Sequence, residues 1–146
     1  MRCAASAHRA PQYPNPHQDM RHLADGPFVD EIRRRYGGIP QAVLEHPELM
    51  ALMLPCLRAD FTVFETYTYG DDRPLDCPIS TFGGQADDYV RQDALEAWAT
   101  QTTGGFSLRM LPGDHFFVQG SRAAVVATVT AALARAPQTV AETGGR

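Results

Sequence analysis

With 146 residues, 44% apolar and 21% charged, the chain has the size and make-up of one globular domain. A net charge of −4, with every one of the 13 basic residues an arginine, is too mild to argue for nucleic acid, and no apolar run approaches the roughly 18–20 residues that span a bilayer. Cys3, Cys56 and Cys77 are widely spaced, odd in number and without a Cys-x-x-Cys pair, which argues against a disulfide framework or a zinc site and for a reducing, cytoplasmic setting.

Residues 1–22 carry three prolines and three histidines and read as an extended or loose segment. The N-terminus has no apolar core of the kind a signal peptide needs. Asp25-Gly26-Pro27 then opens a helix with proline at its first position. Phe28, Ile32 and Tyr36 form its apolar stripe, Arg33 to Arg35 cover the other side, and Gly37-Gly38 ends it. Ile39 to Glu45 is a short helical stretch. Separate helices are expected from Pro47, with Leu49, Leu52 and Met53 on one face, and from Pro55, with Leu57, Phe61 and Phe64. The polar run Tyr69 to Pro74 closes this helical region.

The character changes at Leu75. Pro78 to Phe82 reads as a strand, Asp93 to Thr102 as a helix with Leu95 and Trp98 inward, and Phe106 to Leu111 as a second strand. Ser121 is suited to cap a final helix from about Arg122 to Arg135, before a polar tail over 137–146. Strand, helix, strand, helix implies a parallel pair with a crossover. Two parallel strands do not make a viable sheet, since parallel sheets are covered on both faces and have several strands. The expected fold class is therefore the C-terminal part of a larger α/β domain.

Asp87 follows the first of these strands and His115 the second. That is the chain order in which an α/β-hydrolase presents the acid and histidine of its triad, the acid fixing the tautomer of a histidine that serves as base. The plainer reading stands beside it: an acid in Gln-Ala-Asp-Asp is usually a solvated loop residue or a cap, and a histidine before Phe-Phe a partly buried structural residue. No Gly-x-Ser-x-Gly elbow occurs, and Ser6, Ser80, Ser107 and Ser121 lack a strand-to-helix turn flanked by small residues. Cys3, Cys56 and Cys77 lack that setting too. His8, His17, His22 and His46 fall in loops or at helix starts, with no spacing that supports a metal, and no cofactor is expected.

Four stretches, in order, resemble the C-terminal portion of a type II thioesterase, the stand-alone editing thioesterase of polyketide and nonribosomal peptide synthesis. They are Tyr36-Gly37-Gly38-Ile39-Pro40 followed by Leu49; Leu54-Pro55-Cys56-Leu57-Arg58-Ala59-Asp60-Phe61; Cys77-Pro78-Ile79 leading to Gly83-Gly84-Gln85-Ala86-Asp87; and Pro112-Gly113-Asp114-His115-Phe116-Phe117. The resemblance runs from about residue 5 to 135. It implies an α/β-hydrolase fold in which a helical lid precedes the last two parallel strands and their helices, with the N-terminal half of the sheet absent. The implied layout is 1–22 as an extended segment following a lost strand, 23–74 as the lid, 75–136 as the C-terminal βαβα part of the core, and 137–146 as the tail. Residues 1–10 resemble the end of the strand just before the lid.

The resemblance further implies hydrolysis of acyl groups from the phosphopantetheine arm of an acyl or peptidyl carrier protein, with no nucleic acid or membrane partner. Asp87 matches the family's acid and His115 its base; Asp88 is the fallback acid, and Asp114 stands where the family often has glycine. The family's serine elbow and oxyanion loop lie upstream of Met1, so the chain is expected to be a truncated one, inactive alone. The alternatives are a non-catalytic, carrier-binding remnant that uses the lid and Arg33 to Arg35, or another α/β-hydrolase esterase.

Overall fold

A computed structural model describes residues 2–17 and 19–134 of the chain; the tail expected over 137–146 lies outside them. Three strands form one parallel sheet in the order β1 (Cys3–Ser6), β2 (Ile79–Gly84), β3 (Phe106–Leu111). Cys3 aligns with Ile79, and Ile79 with Phe106. The sheet has one strand more than the pair read from the apolar pattern, and it comes from residues 1–10, which resemble the end of the strand before the lid. Four residues are too short to announce a strand by pattern; pairing with β2 makes them one. β2 is central and buried along nearly its whole length, as a parallel strand covered on both faces should be.

Each face of the sheet has its own apolar layer. On one, Phe82 and Leu111 meet Phe117, Val125 and Val129 of α5 (Phe117–Ala134). On the other, Leu108 and Met110 meet Ala94 and Leu95 of α4 (Gln92–Glu96), which continues as a 3-10 turn over Ala97–Gln101. The helix expected over Asp93 to Thr102 is thus two shorter pieces. Leu95 is fully buried, whereas Trp98 is half-buried and its indole N–H donates to the His8 carbonyl.

α5 joins two helical pieces across a kink: a short one from Phe117 that the sequence did not announce, and the longer one that begins after Ser121, where it was expected. Ser121 has non-helical angles and marks a kink; its hydroxyl donates to the Pro112 carbonyl instead of capping. By length and composition alone these eighteen residues suffice to cross a membrane, contrary to the expectation of no such run. Here the helix lies along the sheet with Phe117 in the core.

The stretch between β1 and β2 is helical: α1 (Asp25–Tyr36), α2 (Gln41–Leu44) and α3 (Pro47–Thr66). α1 begins and ends as its sequence suggests, with Gly37 closing it at φ 63° and donating its N–H to the Arg33 carbonyl. The separate helices expected at Pro47 and Pro55 are one helix of 20 residues with Pro55 inside it. An internal proline costs on the order of 3 kcal/mol through a lost N–H and a clash with the preceding turn. Packing offsets it: Leu54, Leu57 and Phe61 lie on a core of Met20, Phe28 and Ile32.

The N-terminal segment is not loose. Ala10 N–H donates to the Ala94 carbonyl, the Gln12 amide to the Ala97 carbonyl, and the Tyr13 hydroxyl to Asp93. The backbone N–H groups of Met20 and Arg21 share the Glu65 carboxylate of α3. Prolines make this segment irregular, yet these bonds tie the helical layer to the sheet.

Candidate active site

The C-terminal ends of β2 and β3 are adjacent; the loop after β2 carries Asp87 and the loop after β3 carries His115. The loops are stitched together by backbone: Gln85 N–H donates to the Leu111 carbonyl and Ala86 N–H to the Gly113 carbonyl. Two glycines permit this approach. A Cβ on Gly84 would collide with the Gly113 and Asp114 carbonyls, and Gly113 sits at φ 122°, a conformation that side chains disfavour.

The result places His115 Nδ1 2.9 Å from Asp87 Oδ2. The other carboxylate oxygen, Oδ1, accepts the N–H groups of Tyr89 and Val90, each at 2.9 Å. Burial alone would raise the Asp87 pKa. The bond to His115, the two backbone N–H groups and the charge of His115 outweigh burial together and hold the carboxyl below its ordinary 3.8. An ionised carboxylate only accepts, so it selects the His115 tautomer with the proton on Nδ1 and leaves Nε2 as an acceptor. The Asp87 side chain is 1% exposed and that of His115 18%, so the acid is sealed while the base reaches open space.

Asp88, the fallback acid, is exposed one residue on. Asp114 does not face the imidazole pair as a partner; its carboxylate accepts the Phe116 N–H and shapes the loop.

His115 opens into a cleft of about 220 Å³. Three rings surround the imidazole: Tyr36 at 5.1 Å between centroids, Phe116 at 5.4 Å and Tyr89 at 5.8 Å. Tyr36 comes from the end of α1 and meets Tyr89 at 4.3 Å, so the helical layer closes directly over His115. Burial, reinforced by a hydrogen bond to Tyr89, drives the Tyr36 phenol well above its ordinary pKa. Phe61, Phe64, His8 and Arg9 complete the walls. Among the described residues, no serine, threonine or cysteine lines this cleft.

Sequence reading paired Asp87 with His115 but missed Tyr36, Tyr89, His8 and Arg9 as lining residues. Tyr36 showed only as part of an apolar stripe, and His8 only as a loop histidine. Arg33 to Arg35 do not form a free cationic face: Arg33 pairs with Asp30, and Arg34 and Arg35 with Glu31. Among the described residues, no group of three or more potential ligands could hold a metal ion.

A sequence model described as the thioesterase domain matches residues 3–133. The gramicidin S biosynthesis protein GrsT of Aneurinibacillus migulanus is 46% identical over 117 residues, 80% of this chain and 45% of that protein. RedJ, a thioesterase from the prodiginine pathway of Streptomyces coelicolor, superposes with a TM-score of 0.79 at 35% identity over 89% of this chain and 51% of its own. BorB, a type II thioesterase from the borrelidin cluster, gives 0.80 at 31% identity, over 90% and 54%. The chain spans about half the length of the curated relatives it matches.

Proposed function

The chain belongs to the thioesterase domain family, as part of an α/β-hydrolase akin to the type II thioesterases, and from that premise we propose that it supplies the acid and base of an acyl-thioester hydrolase. The observation that carries this reading is the 2.9 Å bond between Asp87 and His115 at the ends of neighbouring parallel strands, with His115 facing a cleft. The nucleophile in this proposal is a serine from outside these 146 residues, because the sequence has no Gly-x-Ser-x-Gly.

In the reaction, His115 Nε2 takes the serine hydroxyl proton as the oxygen attacks the thioester carbonyl. It returns that proton to the departing thiolate. A water then enters, His115 removes its proton, and the acid is released as the serine is regenerated. Asp87 stays ionised throughout, holding the tautomer and stabilising the imidazolium. Residues 23–74 act as the lid, placing Tyr36, Phe61 and Phe64 over the acyl group. The natural ligand is an acyl group on the phosphopantetheine arm of a carrier protein in polyketide or nonribosomal peptide synthesis, and the setting is cytoplasmic.

The test is to incubate acyl-phosphopantetheinyl carrier protein with the chain alone and with a polypeptide that supplies the upstream strands and serine elbow. Hydrolysis is expected only in the mixture, and to be abolished there by His115→Ala. Hydrolysis by the chain alone, or a mixture indifferent to His115→Ala, contradicts the proposal.

A further inference from the structure

Two guanidinium groups lie over aromatic rings in this chain, and they differ in how they are satisfied. Arg58 sits 4.5 Å from the Phe28 ring and is fully engaged, with Asp25 and with the carbonyls of Arg21 and Leu23. Arg9 sits 4.5 Å from the Phe64 ring, but among the described residues its guanidinium makes a single hydrogen bond, Nε to the Tyr13 carbonyl at 3.2 Å. Among the described residues, no carboxylate lies within ion-pair distance of Arg9. Its terminal nitrogens are left over, on a half-buried side chain held in place at Nε and across the Phe64 face.

That group stands between two clefts. One is the His115 cleft; the other, of about 390 Å³, runs on past Phe64 to Tyr67 and Trp98 and shares His8, Arg9, Asp60 and Phe64 with the first. Asp60 is the one acid lining both, and it is exposed. His8 adds no opposing charge. An imidazole is neutral or cationic, so it cannot form an ion pair with the guanidinium. A rigid, half-buried fork donor with spare N–H groups is suited to bidentate capture of an oxyanion, and partial desolvation strengthens the contact.

We propose that Arg9 is the anion-recognition point of the bound thioester, its terminal nitrogens donating to an oxyanion that is either a carboxylate on the acyl group or the phosphate of the pantetheine arm. This rests on the thioester reading of the His115 cleft. It adds that the ligand is read by charge where the two clefts join.

Trp98, the single tryptophan of the chain, lines the second cleft and reports binding by fluorescence. Three probes separate the sources: propionyl-N-acetylcysteamine carries no anion, malonyl-N-acetylcysteamine a carboxylate on the acyl side, and propionyl-phosphopantetheine a phosphate on the arm. One anionic probe is expected to bind about tenfold tighter than the neutral one, the scale of one charge-assisted contact. Raised salt should shrink that gain in the unsubstituted chain. Arg9→Gln should abolish it, and Arg9→Lys, which keeps charge without the fork, should retain part; circular dichroism confirms that each variant is folded. A malonyl gain assigns the acyl carboxylate, and a phosphopantetheine gain the arm. Equal binding of all three probes, or a gain that survives both salt and Arg9→Gln, overturns the Arg9 proposal while leaving the thioester reading standing. Failure of every thioester to bind contradicts both.

Discussion

His115 Nδ1 and Asp87 Oδ2 meet at 2.9 Å although 28 residues separate them, and nothing local to either residue makes the contact. It follows from the register of β2 on β3, which sets Gly84 beside Leu111 and so brings the two strand-end loops together. Oδ1, already held by the Tyr89 and Val90 N–H groups, leaves the carboxylate one direction in which to point.

The depressed Asp87 pKa has a definite consequence for stability. A carboxyl whose pKa is lower folded than unfolded stabilises the fold above the unfolded value, ordinarily 3.8, and loses that contribution as pH falls through the folded value. Urea unfolding of the wild-type chain should therefore weaken from pH 6 toward pH 3. In Asp87→Asn the same pH interval should produce a smaller change. An equal change in both would mean that Asp87 does not carry the acid sensitivity.

Tyr36 gives the opposite sign. Its phenol is pushed up, so it supports the fold below the ordinary tyrosine pKa of 10.0 and ceases to do so as pH rises toward its folded value. Tyr36→Phe should cost about 0.5–1.5 kcal/mol at neutral pH, the usual worth of one hydrogen bond. That deficit should narrow above pH 10, where the unfolded wild-type chain gains by ionising. Thermal unfolding across this range reads both effects; a deficit that widens with pH contradicts the burial of the Tyr36 phenol.

Gly84 and Gly120 make a matched pair. Alanine at Gly84 would press on the Gly113 and Asp114 carbonyls, whereas at Gly120 nothing lies within 4 Å. Gly84→Ala is expected to destabilise by about 1–3 kcal/mol and to loosen the loop that carries His115. Gly120→Ala, within α5, is expected to be neutral or to stabilise by up to about 1 kcal/mol. Chemical denaturation of the two variants side by side is the check.

What could be read from the sequence follows from how local each signal is. α1 is delimited by Asp25-Gly26-Pro27 and Gly37, all within its own residues, and it is found where they put it. β2 and β3 are apolar runs followed by turns, so the loops bearing Asp87 and His115 were visible in order. β1 has no pattern of its own, because Cys3 to Ser6 becomes a strand only against β2, more than 70 residues away; only the resemblance pointed to a strand end within residues 1–10. Pro55 signalled a helix start, but packing of Leu54, Leu57 and Phe61 carries α3 straight through it. Tyr36 reaches the cleft through folding of the helical layer onto the sheet, and His8 and Arg9 reach it from just past β1, a meeting that no spacing in the chain encodes.

The most direct measurement compares Asp87→Asn with Asp88→Asn in hydrolysis of an acyl-phosphopantetheinyl carrier protein, in a mixture with the polypeptide that supplies the serine of the proposed mechanism. Asp87→Asn should lower the rate by about 10⁴-fold, the scale set by loss of the orienting carboxylate in a Ser-His-Asp triad. Asp88→Asn should leave it within about twofold, consistent with an exposed residue that makes no contact with His115. Comparable losses in both variants, or the larger loss in Asp88→Asn, would contradict the assignment of Asp87 and His115 as the acid and base.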